Sequence, residues 1–186
     1  MNIQETKLSG CYIIEPKVFG DERGYFFESF NKKQFEEVTG LSVDFVQDNQ
    51  SSSRYGVLRG LHLQYGDAAQ AKLVRVLSGE VLDVAVDLRP ESETYGQHVA
   101  VKLTAENRKQ LFIPRGFAHG FVVVSEQAEF FYKCDNFYNP KAEGGVIYND
   151  QSLNIDWGIP EEDMIISEKD QQLPTFSSFE KIYSAL

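Results

Sequence analysis

Short stretches of apolar residues dominate the chain, some alternating with polar positions and some continuous, with turn residues between them. Such stretches predict β-strands, because a strand presents successive side chains on opposite faces. The segments SGE and AENR predict hairpin turns. This spacing favours an antiparallel sandwich or jelly roll over a parallel α/β sheet. The strongest stretches are VLRGLHLQY, AKLVRVLSGEVLDVAVDLR, HVAVKLT, KQLFIPRGFAHGFVVVS and AEFFYKCDNFY.

The flanking regions are less regular. NKKQFEEVTG predicts one short helix, with Asn31 as its N-cap and Gly40 as its terminator. PEEDM and FEKIYSAL in the tail predict two further short helices. For the rest of the N-terminal region we expect strands in GCYIIEPKVF and YFFESF, a charged turn in GDERG, and a strand and a polar loop in LSVDFVQDNQSSSRYG.

No internal repeat or linker divides the chain, so we expect a single domain over residues 1–186. An N-terminal arm of about residues 1–50 and an irregular, partly helical tail of about residues 158–186 flank the predicted strands. A hydrophobic fraction of 42% and an aromatic fraction of 13% are ample for a folded core.

Charge and cysteine usage exclude several classes of protein. A net charge of −10 and a pI near 4.8 argue against general affinity for nucleic acid or anionic membranes. No apolar run approaches the roughly 20 residues that a membrane-spanning helix needs. The start of the chain lacks the pattern of a signal peptide, and Cys11 and Cys134 are too few for a disulfide framework or a zinc site. We therefore expect a cytoplasmic protein.

Two-residue periodicity places polar side chains among apolar ones inside the predicted barrel. The three that intrude are His62, Lys72 and Tyr132. An apolar interior with a few polar groups is unusual for a structural core and ordinary for a small-molecule site. The residues expected on the same faces are Gly60 and Gln64 beside His62, Val74 and Val76 beside Lys72, and Phe130 and Cys134 beside Tyr132, while Leu61 and Leu63 face the other way.

The chain has three histidines, and the patterns around two of them, His62 and His119, resemble the two cupin motifs. These patterns are Gly56, five residues, then His62; and Pro114-x-Gly116-x-x-His119. A metal-binding cupin usually has a second histidine at the position of Gln64 and a glutamate a few residues later, where this chain has two alanines. Because a transition-metal site normally needs three or four protein donors, we expect no bound metal.

Proton transfer and plain packing remain as interpretations of the histidines. A histidine on a strand is often a hydrogen-bonded structural residue. However, Arg59 and Lys72 lie close to His62 along the chain, and all three would be costly to bury without partners. An anionic ligand would account for both cations together.

Longer segments carry a specific resemblance. The chain resembles the dTDP-4-dehydrorhamnose 3,5-epimerase family of deoxysugar biosynthesis over nearly its whole length. The family is cupin-type, metal-independent and dimeric, and it uses no cofactor. The resemblance thus implies a mainly β, cupin-type antiparallel jelly roll with a few short helices. Its segments are FGDERGYFFESFN, QDNQSSSRYGVLRGLHLQ, QAKLVRVLSGEVLDVAVDLR, FIPRGFAHGF, YKCDNFYNPKAEGGVIYND and ISEKD.

The resemblance implies conversion of dTDP-4-dehydro-6-deoxy-D-glucose to dTDP-4-dehydro-L-rhamnose. The protons at C3 and C5 are acidic because both carbons flank the C4 ketone. By resemblance, His62 is the base and Asp170 orients it. Lys72 would stabilise the enolate, and Tyr132 would return a proton from the opposite face.

The resemblance also implies a set of substrate contacts. Arg23, Arg59 and Lys169 match positions near the diphosphate. His119, Glu143 and Lys72 match other substrate contacts, and Tyr138 matches an aromatic residue that stacks on thymine. Without the resemblance, Tyr138 would be interpreted as a core or interface aromatic, and the acids as solvated. The residues that match nucleoside-side contacts are Glu28, Gln47, Asp48 and Asn49.

The resemblance also predicts how the dimer is built, and the strand pattern predicts a partner for His119. Family dimers send N-terminal segments across to the partner, so Arg23 and Glu28 are expected to serve the neighbouring subunit's site. Asp83 shares a strand face with Val81 and Ala85 and is a candidate to orient His119.

Two alternative functions remain open. A close relative could epimerise C3 or C5 alone with nearly the same residues. A non-catalytic sugar-nucleotide-binding module is a third class, although such a module has no use for an acid and a base on opposite faces of a sugar. Incorporation of solvent deuterium at both carbons, at one, or at neither separates the three hypotheses.

Overall fold

The computed structural model describes residues 1–183, and residues 184–186, the end of the predicted FEKIYSAL helix, lie outside the described residues. None of the helices in the described range is long and apolar enough to cross a membrane. The strands are β1 Asn2–Glu5, β2 Tyr12–Glu15, β3 Val18–Asp21, β4 Gly24–Phe27, β5 Gln47–Arg54, β6 Val57–Gln64, β7 Lys72–Ser78, β8 Glu80–Asp87, β9 His98–Thr104, β10 Gln110–Ile113, β11 Phe117–Val123, β12 Gln127–Cys134, β13 Glu143–Gly145 and β14 Ile165–Ile166. The α-helices are α1 Lys32–Thr39, α2 Glu168–Gln171 and α3 Phe176–Tyr183.

Two sheets form the body of the molecule. The first has the strand order β1-β2-β10-β7-β12-β5, and the second has the order β13-β6-β11-β8-β9. Neighbouring strands are antiparallel, apart from β14, which pairs with β6 in parallel. Strands β3 and β4 form a separate hairpin around the predicted charged turn. The predicted mainly β, cupin-type fold is confirmed.

The largest cluster of buried apolar side chains lies between the two sheets. Val74 and Phe130 enter it from the first sheet, and Val81, Ala85 and Phe121 enter it from the second. The predicted facing of β7 and β12 is confirmed, because Tyr132 packs against this same cluster. The cavity described below therefore borders the inter-sheet core.

The outer face of each sheet is also covered in part. The C-terminal region packs Trp157 and Phe179 against the outward-facing Leu61 and Leu63 of the second sheet. Strands buried on both faces explain the continuous apolar runs between residues 57 and 134.

Helix α1 covers the outer face of the first sheet and follows the predicted bounds. Asn31 Oδ1 accepts a hydrogen bond from the Gln34 N–H at 3.1 Å, and Gly40 ends the helix with a φ of 72°. Phe35 is fully buried against Ile14 and Phe112. Burying such a side chain stabilises the fold by about 1.5–3 kcal/mol. The cap therefore sets the start of the helix, and Phe35 holds the helix against the sheet.

The prediction for residues 41–56 is wrong in its placement of the strand. Residues 41–46, in which apolar and polar positions mostly alternate, form no strand, and the polar stretch Gln47–Arg54 is β5. This strand lies at the edge of the first sheet and pairs with β12 along its whole length. Backbone pairing with a well-formed neighbour therefore outweighs the low strand propensity of the sequence QDNQSSSR.

The predicted tail helices are found with small differences. PEEDM contains a short 3₁₀ helix at Glu161–Asp163. The second, α3, begins at Phe176, three residues before the predicted start, because Phe176 N–H donates to the Asp150 carboxylate and Phe179 N–H to the Thr175 carbonyl. In this way the tail is held to the body of the protein by polar contacts as well as by its apolar side chains.

Strand β6 contains an irregularity that changes the facing of its residues. Gly60 has a φ of 128°, and a Cβ at this position would lie 2.5 Å from Gly120 Cα on β11. The register with β11 shifts by one residue beside this close approach. As a result Arg59 and His62 line the same cavity, whereas strict alternation would have put them on opposite faces.

Candidate active site

A cavity of about 610 Å³ opens between the two sheets and is lined by side chains from both. Its apolar wall contains Phe121 and Phe130, whose rings stack with centroids 4.1 Å apart. All four residues predicted to be catalytic line this cavity. The polar side chains of the lining are Asn49, Gln50, Ser51, Arg59, His62, Lys72, His119, Tyr132, Ser167 and Asp170.

His62 and Asp170 form a hydrogen-bonded pair on one wall of the cavity. His62 Nε2 lies 2.7 Å from Asp170 Oδ1, although 108 residues separate them in sequence. The Gly60 N–H donates to Asp170 Oδ2 at 3.2 Å. Burial acts to raise the pKa of Asp170, but the hydrogen bonds from His62 and Gly60 outweigh it and lower that pKa.

The ionised Asp170 determines which nitrogen of His62 carries the proton. A carboxylate only accepts hydrogen bonds, so His62 Nε2 donates and Nδ1 keeps a free lone pair. The His62 side chain is 29% exposed, whereas Asp170 is 6% exposed. His62 is thus an oriented imidazole with a basic nitrogen and access to solvent.

Lys72 and Tyr132 lie on neighbouring strands of the opposite sheet. Lys72 Nζ lies 6.0 Å from the centroid of the Tyr132 ring. Burial lowers the pKa of Lys72 and raises that of Tyr132, so the phenol keeps its proton at neutral pH. Within residues 1–183, no hydrogen bond or ion pair joins Lys72 to a carboxylate.

His119 and Asp83 form a second pair, deeper in the same region. His119 Nε2 lies 2.9 Å from Asp83 Oδ2, and the two side chains are 7% and 0% exposed. Burial lowers the pKa of His119, and the charge of Asp83 offsets this only in part. The ring therefore stays neutral. The candidate orientation of His119 by Asp83 agrees with this contact.

An adjoining cavity of about 220 Å³ shares His62, Lys72 and Tyr132 with the first. It adds Gln47, Tyr138 and Glu143 at the outer end. The Tyr138 hydroxyl donates to Glu143 Oε2 at 2.8 Å, and the Tyr138 N–H donates to Gln47 Oε1 at 3.0 Å. These side chains form a polar mouth beside the catalytic candidates.

Two of the predicted phosphate-binding cations lie near the cavities. Arg59 is exposed and its Nε donates to Ser53 Oγ at 3.2 Å, so most of its donors are available for an anion. Lys169 pairs with Glu143. Burial acts to raise the pKa of Glu143, but the hydrogen bonds from Lys169 and Tyr138 lower it overall.

Besides Lys169, three predicted contacts do not line either cavity. Asp48 points away from the interior, since it alternates with Gln47 and Asn49 along β5, and it pairs with Lys133 at 2.9 Å. Arg23 pairs with Asp21 at the tip of the β3–β4 hairpin. Glu28 accepts a hydrogen bond from Asn31 at 3.0 Å and is exposed.

Sequence reasoning missed two serines that support the site. Ser53 accepts the hydrogen bond from Arg59, and no local signal marks it. Ser167 caps α2 by accepting from the Asp170 N–H at 3.1 Å, and this contact helps to place the carboxylate. The S-x-x-D spacing in SEKD is a capping-box pattern that could have identified Ser167.

The side chains of the described residues do not provide the donors that a metal ion needs. Among residues 1–183 the structure has no group of three or more histidine, cysteine, aspartate or glutamate side chains placed to hold a metal. The position where a metal-binding cupin has its second histidine is occupied by Gln64, whose Oε1 accepts from the Asn139 N–H at 2.8 Å. What the cavity does combine is an oriented imidazole, a protonated phenol and a buried amine.

Comparisons with known proteins show what this chain is similar to. The model of the dTDP-4-dehydrorhamnose 3,5-epimerase family matches residues 5–178. A dTDP-4-dehydrorhamnose 3,5-epimerase from Salmonella typhimurium is 55% identical over 177 residues, which is 94% of this chain and 94% of the relative.

Two crystal structures are similar to the whole fold. The dTDP-4-dehydrorhamnose 3,5-epimerase from Elizabethkingia anophelis NUHP1 has a TM-score of 0.94 and 63% identity, covering 96% of this chain and 97% of that one. A dTDP-6-deoxy-D-glucose-3,5-epimerase from Legionella pneumophila Philadelphia 1, in complex with dTDP-4-keto-L-rhamnose, has a TM-score of 0.90 and 50% identity, covering 95% of this chain and 93% of that one.

Proposed function

The chain belongs to the dTDP-4-dehydrorhamnose 3,5-epimerase family, and we propose that it inverts C3 and C5 of dTDP-4-dehydro-6-deoxy-D-glucose to give dTDP-4-dehydro-L-rhamnose. The observation that carries the proposal is the placement of the His62–Asp170 pair, Lys72 and Tyr132 around one cavity. Each inversion moves protons without changing the oxidation state of the sugar. A redox cofactor is therefore not needed.

The first step is removal of a proton from the carbon beside the C4 ketone. His62 takes the proton on the nitrogen that Asp170 leaves free, and the C–H electron pair becomes the enolate. The negative Asp170 stabilises the imidazolium that forms. General base catalysis of this kind contributes about 10²- to 10⁴-fold to the rate.

The enolate places a negative charge on the C4 oxygen. Lys72 is the cation that we assign to this oxygen, since its amine is buried in the cavity and unpaired with any described carboxylate. An ionic partner is worth more in such a desolvated position than in water. The enolate also favours the ammonium form of Lys72, which opposes the effect of burial on its pKa.

The second step returns a proton to the opposite face of the same carbon. Tyr132 donates its phenolic proton, and burial has kept that proton in place by raising the pKa. His62 and Tyr132 belong to different sheets and line the same cavity, so a sugar ring between them meets a base on one face and an acid on the other. Exchange of protons with water restores both groups, and the cycle repeats at the second carbon.

The nucleotide diphosphate would occupy the polar mouth. Lys169, paired with Glu143, supplies positive charge there and Arg59 supplies it from the adjoining larger cavity, against a net charge of −10 for the whole chain. We propose that Tyr138 stacks on the base, which would contribute about 1–3 kcal/mol. Gln47 and Asn49 lie beside Tyr138 and supply amide groups to the nucleoside, and Asp48 faces the other side of β5.

We further propose a homodimer in which the β3–β4 hairpin completes the neighbouring site. Phe19, Tyr25 and Phe26 are exposed on this hairpin, which is a pattern typical of a protein interface. Arg23 at its tip would then reach the partner's diphosphate, with Glu28 close behind. Size measurement and complementation between an Arg23→Ala chain and a His62→Ala chain test this arrangement. An active mixed dimer supports it, and an inactive one contradicts it.

We propose that the enzyme is cytoplasmic. Cys11 and Cys134 are free and buried thiols, as expected for a protein of a reducing compartment. Burial raises the pKa of Cys11 to about 12, which keeps it unreactive.

Isotope exchange in D₂O tests the function directly. Protein treated with a chelator is incubated with the keto sugar nucleotide, and deuterium at C3 and C5 is measured by NMR. We expect incorporation at both carbons. Incorporation at one carbon would identify a mono-epimerase, and incorporation at neither, with the nucleotide still bound, would identify a binding module. Loss of exchange on chelation would contradict the metal-independent mechanism.

A further inference from the structure

Asp83 is a buried carboxylate that the proposed reaction does not use directly. It lies on β8 with no solvent exposure, and Oδ2 is bound to His119 at 2.9 Å. Oδ1 has no hydrogen-bond partner among the described residues, although the atom is fully buried. A buried charge that is left half unpaired is costly, so its retention in the core needs an explanation.

Lys72 on β7 is the corresponding buried cation. Its side chain also reaches the inter-sheet space, and no carboxylate of residues 1–183 forms an ion pair with it. Asp83 and Lys72 therefore constitute a buried anion and a buried cation in the same interior layer, with the neutral His119 beside them. Within residues 1–183, no hydrogen bond or ion pair joins the two side chains.

We propose that Asp83 is a positioning residue with two roles: it fixes His119 in one tautomer, and it supplies the negative charge that keeps Lys72 an ammonium ion before the enolate forms. The inference rests on the proposed function, because it explains how the cation needed at the C4 oxygen survives burial. Asp83 touches neither the sugar nor the reacting atoms in this scheme.

The electrostatic surroundings of Lys72 support the second role. Burial lowers the pKa of Lys72, and the charges of Cys134, Asp83 and Glu143 act to raise it. Of these three groups, Glu143 is committed to Lys169 and Tyr138. Burial also raises the pKa of Cys134, so this group stays a neutral thiol. Asp83 is then the buried negative charge that acts on Lys72.

The remaining titratable groups around Lys72 are either neutral at neutral pH or, in the case of Asp170, already hydrogen-bonded through both carboxylate oxygens. Tyr132 on β12 stays a phenol, and His119 on β11 stays neutral. On β6, His62 donates to Asp170, whose charge is taken up by that ring and by the Gly60 N–H. Removing the charge at position 83 should therefore be felt at Lys72 without another group to replace it.

The tautomer role follows from the hydrogen bond itself. A carboxylate accepts, so His119 Nε2 carries the proton and Nδ1 is unprotonated. This makes His119 a fixed acceptor within the cavity. In Asp83→Asn, the amide can present either its oxygen or its NH₂ group to Nε2, so the single tautomer is lost.

NMR titration of Lys72 is the decisive experiment. The ¹³Cε signal of Lys72, assigned by its absence in Lys72→Arg, is followed against pH in the wild type and in Asp83→Asn. We expect the midpoint to fall by about one pH unit or more, because an opposite charge nearby typically shifts a pKa by that amount. The alkaline limb of kcat/KM should move to lower pH by a similar amount.

Asp87→Asn is the matched control. Asp87 is as buried as Asp83 and lies on the same strand, but it binds Arg89, Ser92 and Thr94 outside the cavity. It should leave the Lys72 midpoint unchanged. A midpoint in Asp83→Asn within about 0.3 units of the wild type, or an equal shift in Asp87→Asn, overturns the inference.

Two measurements protect the test against misfolding and against failure of the proposed function. The ¹⁵N signals of His119 in the wild type should show a proton on Nε2, and a proton on Nδ1 instead overturns the tautomer role even if Asp83→Asn fails to fold. Asp83→Glu keeps the charge and should keep the Lys72 midpoint. None of these signals requires turnover. A wild type without isotope exchange would refute the proposed function, and the Lys72 and His119 signals would still decide this inference.

Discussion

Two histidine–aspartate pairs lie at the cavity. They consist of the same residue types and differ in their surroundings. In the pair of His62 and Asp170, the imidazole is 29% exposed and the carboxylate accepts a second hydrogen bond from the Gly60 N–H. In the pair of His119 and Asp83, the imidazole is 7% exposed and one carboxylate oxygen has no partner in residues 1–183.

In the proposed mechanism, this difference separates a proton carrier from a fixed acceptor. Water can hydrate the imidazolium of His62 as it forms, and a fully bonded carboxylate stands behind it. His119 has no such access, and the nearby Lys72 opposes a second positive charge. The same pair of residue types therefore supports proton transfer in one place and supports orientation in the other, because desolvation and neighbouring charge decide which form of the ring is stable.

Removal of the imidazole of His62 should have the largest effect. We expect His62→Ala to lower the rate of epimerisation by about 10³- to 10⁴-fold, because the base is lost. Binding of dTDP, measured by calorimetry, should stay within about tenfold. His98→Ala is the control, since His98 lies on β9 outside the cavity and should leave the rate unchanged. Full activity of His62→Ala would remove this residue from the mechanism.

Removal of the charge behind His62 should come next. We expect Asp170→Asn to lower kcat by about 10²-fold, because the neutral amide neither stabilises the imidazolium nor fixes its tautomer. Steady-state rates with the keto sugar nucleotide measure the effect. A loss smaller than about threefold would mean that His62 needs no orienting carboxylate, and the contrast between the two pairs would fail.

The second histidine should give a smaller and different response. His119→Gln is expected to raise KM by about tenfold with little change in kcat, since the residue offers contacts and carries no proton. The acid limb of the pH–rate profile should remain where it is in the wild type. If kcat instead fell as far as in His62→Ala, His119 would be a proton carrier too.

The smallest effect concerns stability. The folded-state pKa of Asp170 lies below its ordinary value, so its contribution to stability is present above about pH 3.9 and is lost as pH falls through the folded-state pKa. Asp170→Asn should lower Tm by about 2–4 °C at pH 7, and this difference should shrink as the pH approaches 3.

Thermal unfolding at several pH values measures this difference. Asp48→Asn is the control, because Asp48 is exposed and its pair with Lys133 contributes little. A Tm difference for Asp170→Asn that stayed constant down to pH 3 would show that the carboxylate charge is not what stabilises the pair.

Much of the fold could be predicted from local patterns. The alternation of residues in β7 and β12 placed Lys72 and Tyr132 in the interior, and the cap at Asn31 fixed the start of α1. The edge strand β5 could not be found in this way. Its polar sequence has no strand periodicity of its own, and it is a strand because β12 pairs with it.

In the candidate site, too, some features follow from the sequence and others only from the tertiary structure. The amino-acid sequence by itself determined the fold class, the inward facing of His62, Lys72 and Tyr132, and the family, because side-chain alternation and long motifs are local properties. Tertiary structure alone decided that Arg59 joins His62 across the irregularity at Gly60. It also decided the burial that makes the two histidine–aspartate pairs different. The physical reason is that desolvation and charge compensation depend on all the elements that surround a group at once, and no single stretch of sequence contains that information.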